Sequence, residues 1–181
     1  PEERPINQHW SWDRILRSVY IKQADVLQGM FFFEDRFTLE EIRRNFAFYE
    51  PRTVHESSLS PCVHSILANR IGEEEKAYEL YLRTSRLDLD DYNKEVDEGL
   101  HITSMGGTWM SVVMGFGGMR VKDDMLSFSP ALPKKWARLS FHIMFRERTL
   151  RVDMESDHAE VVLVQGDPLE IEVNGNRILC A

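Results

Sequence analysis

Between Gly99 and Trp109 the chain reads Gly-Leu-His-Ile-Thr-Ser-Met-Gly-Gly-Thr-Trp. An imidazole (His101), the hydroxyls of Thr103, Ser104 and Thr108, and the adjacent glycines Gly106 and Gly107 are thereby brought into one short run. Glycine lets a ligand approach the backbone, because no Cβ stands in the way. A helix starting at Gly106 would aim its unpaired N–H groups and positive dipole end at that ligand. Such an arrangement suits an oxyanion, phosphate above all. A hydroxyl-capped helix start after a glycine turn fits the same residues, and the spacing is not that of a P-loop.

Two further polar clusters stand out. Lys22-Gln23 borders a very apolar segment, and His55-Glu56-Ser57-Ser58 sits in a hydroxyl-rich stretch. Sugar hydroxyls are bound well by carboxylates and amides, and phosphate by cations and N–H donors. A solvent-facing lysine at a helix start and a capped loop describe these clusters equally well. His55, Glu56, His64 and His101 are also potential metal ligands, but no HExxH or similar spacing links them, and no metal is expected. Trp10, Trp12 and Trp109 could line a sugar site, whereas Trp136 reads as packing.

The elements that must position these residues are helical first and extended later. A helix is predicted from about Tyr20 to Phe32. Thr38-Leu39-Glu40-Glu41 is a capping box that opens a helix to about Tyr49, with Ile42, Phe46 and Tyr49 on one face, and Pro51 ends it. Residues 52–61 read as a loop. Ser60 can cap, and Pro61 start, a helix through about Asn69. Beyond Gly72 another helix runs from Glu73 to about Arg86, striped with Ala77, Leu80 and Tyr81. An acidic connection, 88–93, leads to a helix from about Gly106 to Gly115. These helices do not form an obvious closed bundle, and resemble a sector of a larger array. The pattern changes near Met119. Leu139, Phe141, Ile143 and Phe145 alternate with polar neighbours, as do 150–154 and 169–173, the last ending in the turn Asn174-Gly175. Val161–Val164 reads as a more buried strand. Four to six antiparallel strands are expected between about Met125 and Leu179. The fold class is thus α then β: helices in residues 1–120, then a small antiparallel C-terminal β domain in 121–181.

The 181 residues are 43% hydrophobic and 29% charged, as in a folded globular chain. A formal charge of −8 argues against nucleic acid or an anionic membrane surface as partner. No apolar run approaches the roughly 20 residues that span a bilayer. The start, Pro1-Glu2-Glu3-Arg4-Pro5, has no apolar core of a secretory signal, and two distant cysteines, Cys62 and Cys180, suggest no disulfide framework, so a cytoplasmic location is expected. The absence of an initiator Met predicts a piece of something longer.

Four segments occur in a telling order: 21–27 (Ile-Lys-Gln-Ala-Asp-Val-Leu), 49–60 (Tyr-Glu-Pro-Arg-Thr-Val-His-Glu-Ser-Ser-Leu-Ser), 83–93 (Arg-Thr-Ser-Arg-Leu-Asp-Leu-Asp-Asp-Tyr-Asn) and 99–109. Together they resemble glycoside hydrolase family 65, which contains phosphorylases of maltose, kojibiose, nigerose and trehalose. The resemblance covers about Tyr20 to Arg120, and the strand-rich tail more loosely. It implies the last helices of an (α/α)6 catalytic barrel followed by the small C-terminal β domain. The implied reaction is inverting phosphorolysis of a disaccharide, maltose first, to β-glucose 1-phosphate and glucose. Inorganic phosphate is a co-substrate, no cofactor is needed, and a homodimer is possible. By this resemblance Lys22, Gln23 and Glu56 bind sugar, and His101, Thr103, Ser104, Gly106 and Gly107 hold phosphate. The family's general acid is a Glu upstream of the Lys-Gln motif, so no catalytic residue is assigned here and this chain alone is expected to be inactive. A non-catalytic carbohydrate-binding or assembly module of the same fold, or an α-glucoside hydrolase, are the alternatives.

Overall fold

The computed structural model describes residues 6, 9–91, 94, 96–156 and 158–181. The Pro1–Pro5 start and the Tyr92-Asn93 end of the third motif lie outside them. Contacts divide the chain into two compact units, Pro1–Ser111 and Val112–Ala181.

The first unit is helical: α1 (Trp12–Leu16), α2 (Asp25–Phe32), α3 (Leu39–Tyr49), α4 (Ser60–Arg70), α5 (Glu74–Ser85) and α6 (Ile102–Met110). The expected box opens α3. Thr38 Oγ1 accepts the Glu41 N–H at 3.2 Å, and Glu41 Oε2 accepts the Thr38 N–H at 2.8 Å. Ile42 and Phe46 are the residues this helix buries. The centre of the unit is α4, buried at every position from Ser60 to Ala68, as befits a helix enclosed on all sides. It packs on α2, α3, α5 and α6.

Three predicted helix starts shift. The helix predicted from Tyr20 begins at Asp25, because Ile21 is committed to a parallel bridge with Thr53. Ser60 begins α4 but does not cap it; its hydroxyl accepts the buried Ala24 N–H at 3.2 Å instead. The last helix starts at Ile102, one turn before the glycines, so Gly106 and Gly107 lie inside α6.

The second unit holds seven strands: β1 (Arg120–Lys122), β2 (Met125–Phe128), β3 (Leu139–Phe145), β4 (Arg148–Glu155), β5 (His158–Gln165), β6 (Leu169–Val173) and β7 (Asn176–Cys180). They form two sheets, β1-β2-β6-β7 and β3-β4-β5. All neighbours are antiparallel except β2 and β6, which run parallel with Leu126 beside Ile171. Both sheets turn apolar residues into one core around Leu126, Phe128, Leu150, Val152, Met154 and Ile171. Alternation sets this core: in β3, Leu139, Phe141, Ile143 and Phe145 join it, while Ser140, His142 and Met144 are exposed. Val161–Val164 follows the same alternation rather than being buried throughout; Val161 is inside and Val164 outside, since only one face of β5 meets the core.

Three two-residue turns have positive φ at both positions: Asp123-Asp124, Arg146-Glu147 and Asn174-Gly175. This is the type I′ form that suits the strand twist. The unit opens with a π-helical turn, Ser111–Phe116, whose end is tied by the Arg120 guanidinium to the Met114 and Met119 carbonyls at 2.6 and 2.8 Å. Immediately after it, Gly118 (φ +60) runs against Ser129.

On the β3–β4 pair, Asp153 accepts hydrogen bonds from Ser140, Arg138 and Arg151, which hold its carboxyl down from 3.8 to about 2. A lowered folded-state value means the stabilisation is complete above the unfolded value and fades as protons are added. The expected result is that wild type loses stability between about pH 4 and pH 2, and that Asp153→Asn flattens this part of the acid limb. Chemical denaturation at a series of pH values reads it, and an unchanged slope in the variant would count against the assignment.

Candidate active site

The segments carrying Lys22 and Glu56 are bound to one another through the backbone. Ile21 N–H donates to the Arg52 carbonyl at 3.0 Å, and Val54 N–H to the Ile21 carbonyl at 2.8 Å. Thr53, buried, donates its hydroxyl to the Tyr49 carbonyl at 2.8 Å. The Ala24–Ser60 bond closes the far end. On this frame Lys22 Nζ meets Glu56 Oε2 at 2.9 Å, with the ammonium 5.4 Å from the centre of the Trp12 ring. Gln23, beside them, donates its amide to Asp25 Oδ1 at 3.0 Å. A half-exposed ammonium and a partly covered carboxylate thus stand together with an aromatic face, which is what a sugar ring needs: polar partners for its hydroxyls and a flat apolar surface for its C–H face.

His55 faces the other way. Its φ of +56 turns the chain so that the imidazole is buried while Glu56 stays accessible. Its ring stacks edgewise on His64, centroids 4.6 Å apart, and Arg83 donates to its carbonyl at 3.3 Å. His64 is fully enclosed. Burial pushes its imidazole down to about 3, with Arg83 and Lys76 adding to the shift, so it is neutral. Among the described residues, no group of three or more His, Cys, Asp or Glu is placed to hold a metal ion.

The entrance of α6 carries the second cluster. His101 is the residue immediately before the helix, and its Nδ1 lies 2.6 Å from Asp88 Oδ1. Thr103 and Gly106 are exposed, whereas Ser104 and Gly107 are buried. Ser104 donates its hydroxyl to the Thr84 carbonyl at 3.1 Å, which ties α6 to α5. A Cβ on Gly107 would lie 3.0 Å from Cys62 Cβ and Sγ. Gly107 is therefore what lets α6 approach the first turn of α4 so closely. Burial pushes the Cys62 thiol up to about 11.

The two clusters share a reference point. Ser60 anchors the Lys22 segment and Cys62 receives α6, both on the first turn of α4. Sequence reasoning missed that bridge and the partner of His101. Asp88 lies among several acidic neighbours, and nothing in its spacing singled it out. The sequence offers Trp12 as a sugar-lining residue, and the structure sets its ring beside Lys22.

The model of the glycosyl hydrolase family 65 central catalytic domain matches residues 1–110, and that of the family's C-terminal domain matches residues 119–179. Maltose phosphorylase of Bacillus subtilis (strain 168) is 59% identical over 173 residues, which is 96% of this chain and 23% of that protein. Alpha,alpha-trehalose phosphorylase of Thermoanaerobacter brockii is 46% identical over 180 residues, 99% of this chain and 23% of that protein. A solved structure described as "Putative kojibiose phosphorylase from human microbiome" superposes with a TM-score of 0.89 at 43% identity, covering 99% of this chain and 26% of that one. The chain thus spans 23% of the length of these two curated relatives, and it belongs to glycosyl hydrolase family 65.

Proposed function

We propose that the whole protein is an inverting disaccharide phosphorylase that cleaves maltose with inorganic phosphate, giving β-glucose 1-phosphate and glucose. The observation that carries this reading is that the segment bearing the Lys22–Glu56 pair and the body of the histidine-led helix α6 both meet the first turn of α4, at Ser60 and at Cys62. Lys22, Gln23 and Glu56 bind the sugar. His101 and Thr103, at the accessible start of α6, receive phosphate, with Gly106 exposed one turn further along the helix, while Ser104 and Gly107 hold that helix in position. Residues 1–120 are the last helices of the (α/α)6 catalytic barrel, and 121–181 the appended β domain.

In the reaction, a general acid protonates the glycosidic oxygen while a phosphate oxygen attacks the anomeric carbon from the opposite face. The C–O bond to the second glucose breaks as the bond to phosphate forms. An inverting hydrolase would need a second carboxylate to activate water. Phosphate is already a nucleophile, so donors and cations that orient it take that place. The acid is a Glu in a barrel segment outside these residues, so this chain alone has no turnover. No cofactor enters the reaction. The two free cysteines are buried, in keeping with a cytoplasmic protein, and among the described residues no helix is long and apolar enough to cross a membrane. A homodimer is the assembly proposed.

The test is product analysis with the full-length protein, offered maltose, trehalose, kojibiose and nigerose with and without phosphate. The expected result is β-glucose 1-phosphate from maltose, dependent on phosphate. Glucose release without phosphate would replace this reading with a hydrolase. Maltose binding with no cleavage would replace it with a carbohydrate-binding module.

A further inference from the structure

We propose that Asp88 is a positioning residue for the phosphate end of the site, gripping His101 at two points and so fixing which imidazole nitrogen is offered to the anion. This rests on the reading of the α6 start as that phosphate end. Asp88 lies in the acidic connection before α6. One of its oxygens is 2.6 Å from His101 Nδ1, and the other accepts the His101 backbone N–H at 2.9 Å. Its side chain is only 14% exposed and that of His101 24%, so the pair is set into the surface.

Both contacts act in one direction. The hydrogen bonds from His101 hold the Asp88 carboxyl below the usual carboxylate range. An ionised carboxylate only accepts, so the proton of that short contact belongs to Nδ1. The tautomer is thereby decided, and Nε2 becomes the nitrogen through which the ring can meet a ligand. Nε2 then faces the anion, where it accepts from a protonated phosphate oxygen, or donates to a phosphate oxygen when it carries a proton. The second bond pins the backbone of His101, the residue before the first turn of α6. Ring and helix entrance then keep a constant relation, and the anion meets imidazole and helix N-terminus together.

The experiment is steady-state kinetics of the full-length enzyme with both substrates varied, for Asp88→Asn, His101→Ala and the double variant. Asp88→Asn keeps the shape and an acceptor for the backbone N–H but removes the charge. It is expected to raise KM for phosphate at least tenfold, the scale of one lost hydrogen bond to a charged group. KM for the disaccharide stays within twofold, and nothing is added on top of His101→Ala, because the two residues act as one unit. If His101→Ala raises the phosphate KM and Asp88→Asn does not, the role of Asp88 falls while the site reading stands. If Asp88→Asn raises both KM values together, or its effect adds to that of His101→Ala, Asp88 is structural only and the proposal is overturned. If His101→Ala leaves the phosphate KM unchanged, the site reading falls and takes the proposal with it. Should Asp88→Asn not fold, Asp88→Glu decides: the displaced carboxylate is expected to raise KM for phosphate alone, and an unchanged phosphate KM overturns the proposal.

Discussion

Glu56→Gln in the full-length enzyme is expected to cut kcat/KM for the disaccharide at least a hundredfold while leaving the protein folded. The substitution exchanges one oxygen for an NH2 and keeps the shape. What is lost is charge: a carboxylate that pairs with Lys22 at 2.9 Å and, in the proposed complex, accepts from sugar hydroxyls. A hydrogen bond to a charged group is worth about 1.5–3 kcal/mol, so two of them lost make at least a factor of 100 in rate. The same pair contributes little to folding. Lys22 is 52% exposed and Glu56 28%, and ion pairs of that exposure are worth about 0–1 kcal/mol. Activity and thermal unfolding measured on one preparation separate the two effects. Equal activity of variant and wild type would remove Glu56 from the sugar site, and a large fall in melting temperature would make it a structural residue.

Gly118→Ala carries the other large expected effect, this time on folding. Gly118 has φ +60, and a Cβ there would sit 2.1 Å from the Ser129 carbonyl oxygen and 2.9 Å from its nitrogen. Both obstacles are backbone, so no rotamer change relieves them. A left-handed non-glycine residue costs about 1–3 kcal/mol, and crowding a packed site adds about 1–3 kcal/mol. A loss of about 2–6 kcal/mol is expected, read as a drop of roughly 10 °C in melting temperature for a chain of this size. Gly106→Ala is the control. It lies within α6 with nothing within 4 Å of the added Cβ, and alanine is the better helix former, so stability there should hold or rise. A melting temperature for Gly118→Ala within 2 °C of wild type would mean that the Gly118–Ser129 approach is not as close as it stands here.

Local signals in the sequence are legible where local chemistry decides the outcome. The Thr38–Glu41 box opens α3, and its end falls at Tyr49. The alternation at 139–145 gives β3, and Asn174-Gly175 the β6–β7 hairpin. The turns Asp123-Asp124 and Arg146-Glu147 take the same left-handed geometry without glycine, so they carried no such mark. Where a distant partner decides, local signals do not suffice. Ile21 leaves helical geometry for a partner at Thr53, and Ser60 serves Ala24 rather than its own helix. The parallel pairing of β2 with β6 joins segments separated by all of β3, β4 and β5, a choice no local pattern encodes. The site shows the same division. Its residue types were legible as clusters, but the division of labour inside the last one was not. Gly107 and Ser104 face the neighbouring helices while Thr103 and Gly106 face out, which follows from a helix start one turn earlier than the glycines suggested.

The backbone tie between residues 21 and 52–54 bears on how the site can diversify. Because Ile21 is hydrogen-bonded on both sides, to Arg52 and Val54, Lys22 and Glu56 are carried on one ledge rather than on two independent loops. An insertion in either segment would break the ledge, whereas exchange of side chains on it would not. Under the proposed function, a sugar bound at this ledge would not have to order two separate segments, so their conformational entropy is lost when the chain folds and not again at each binding event.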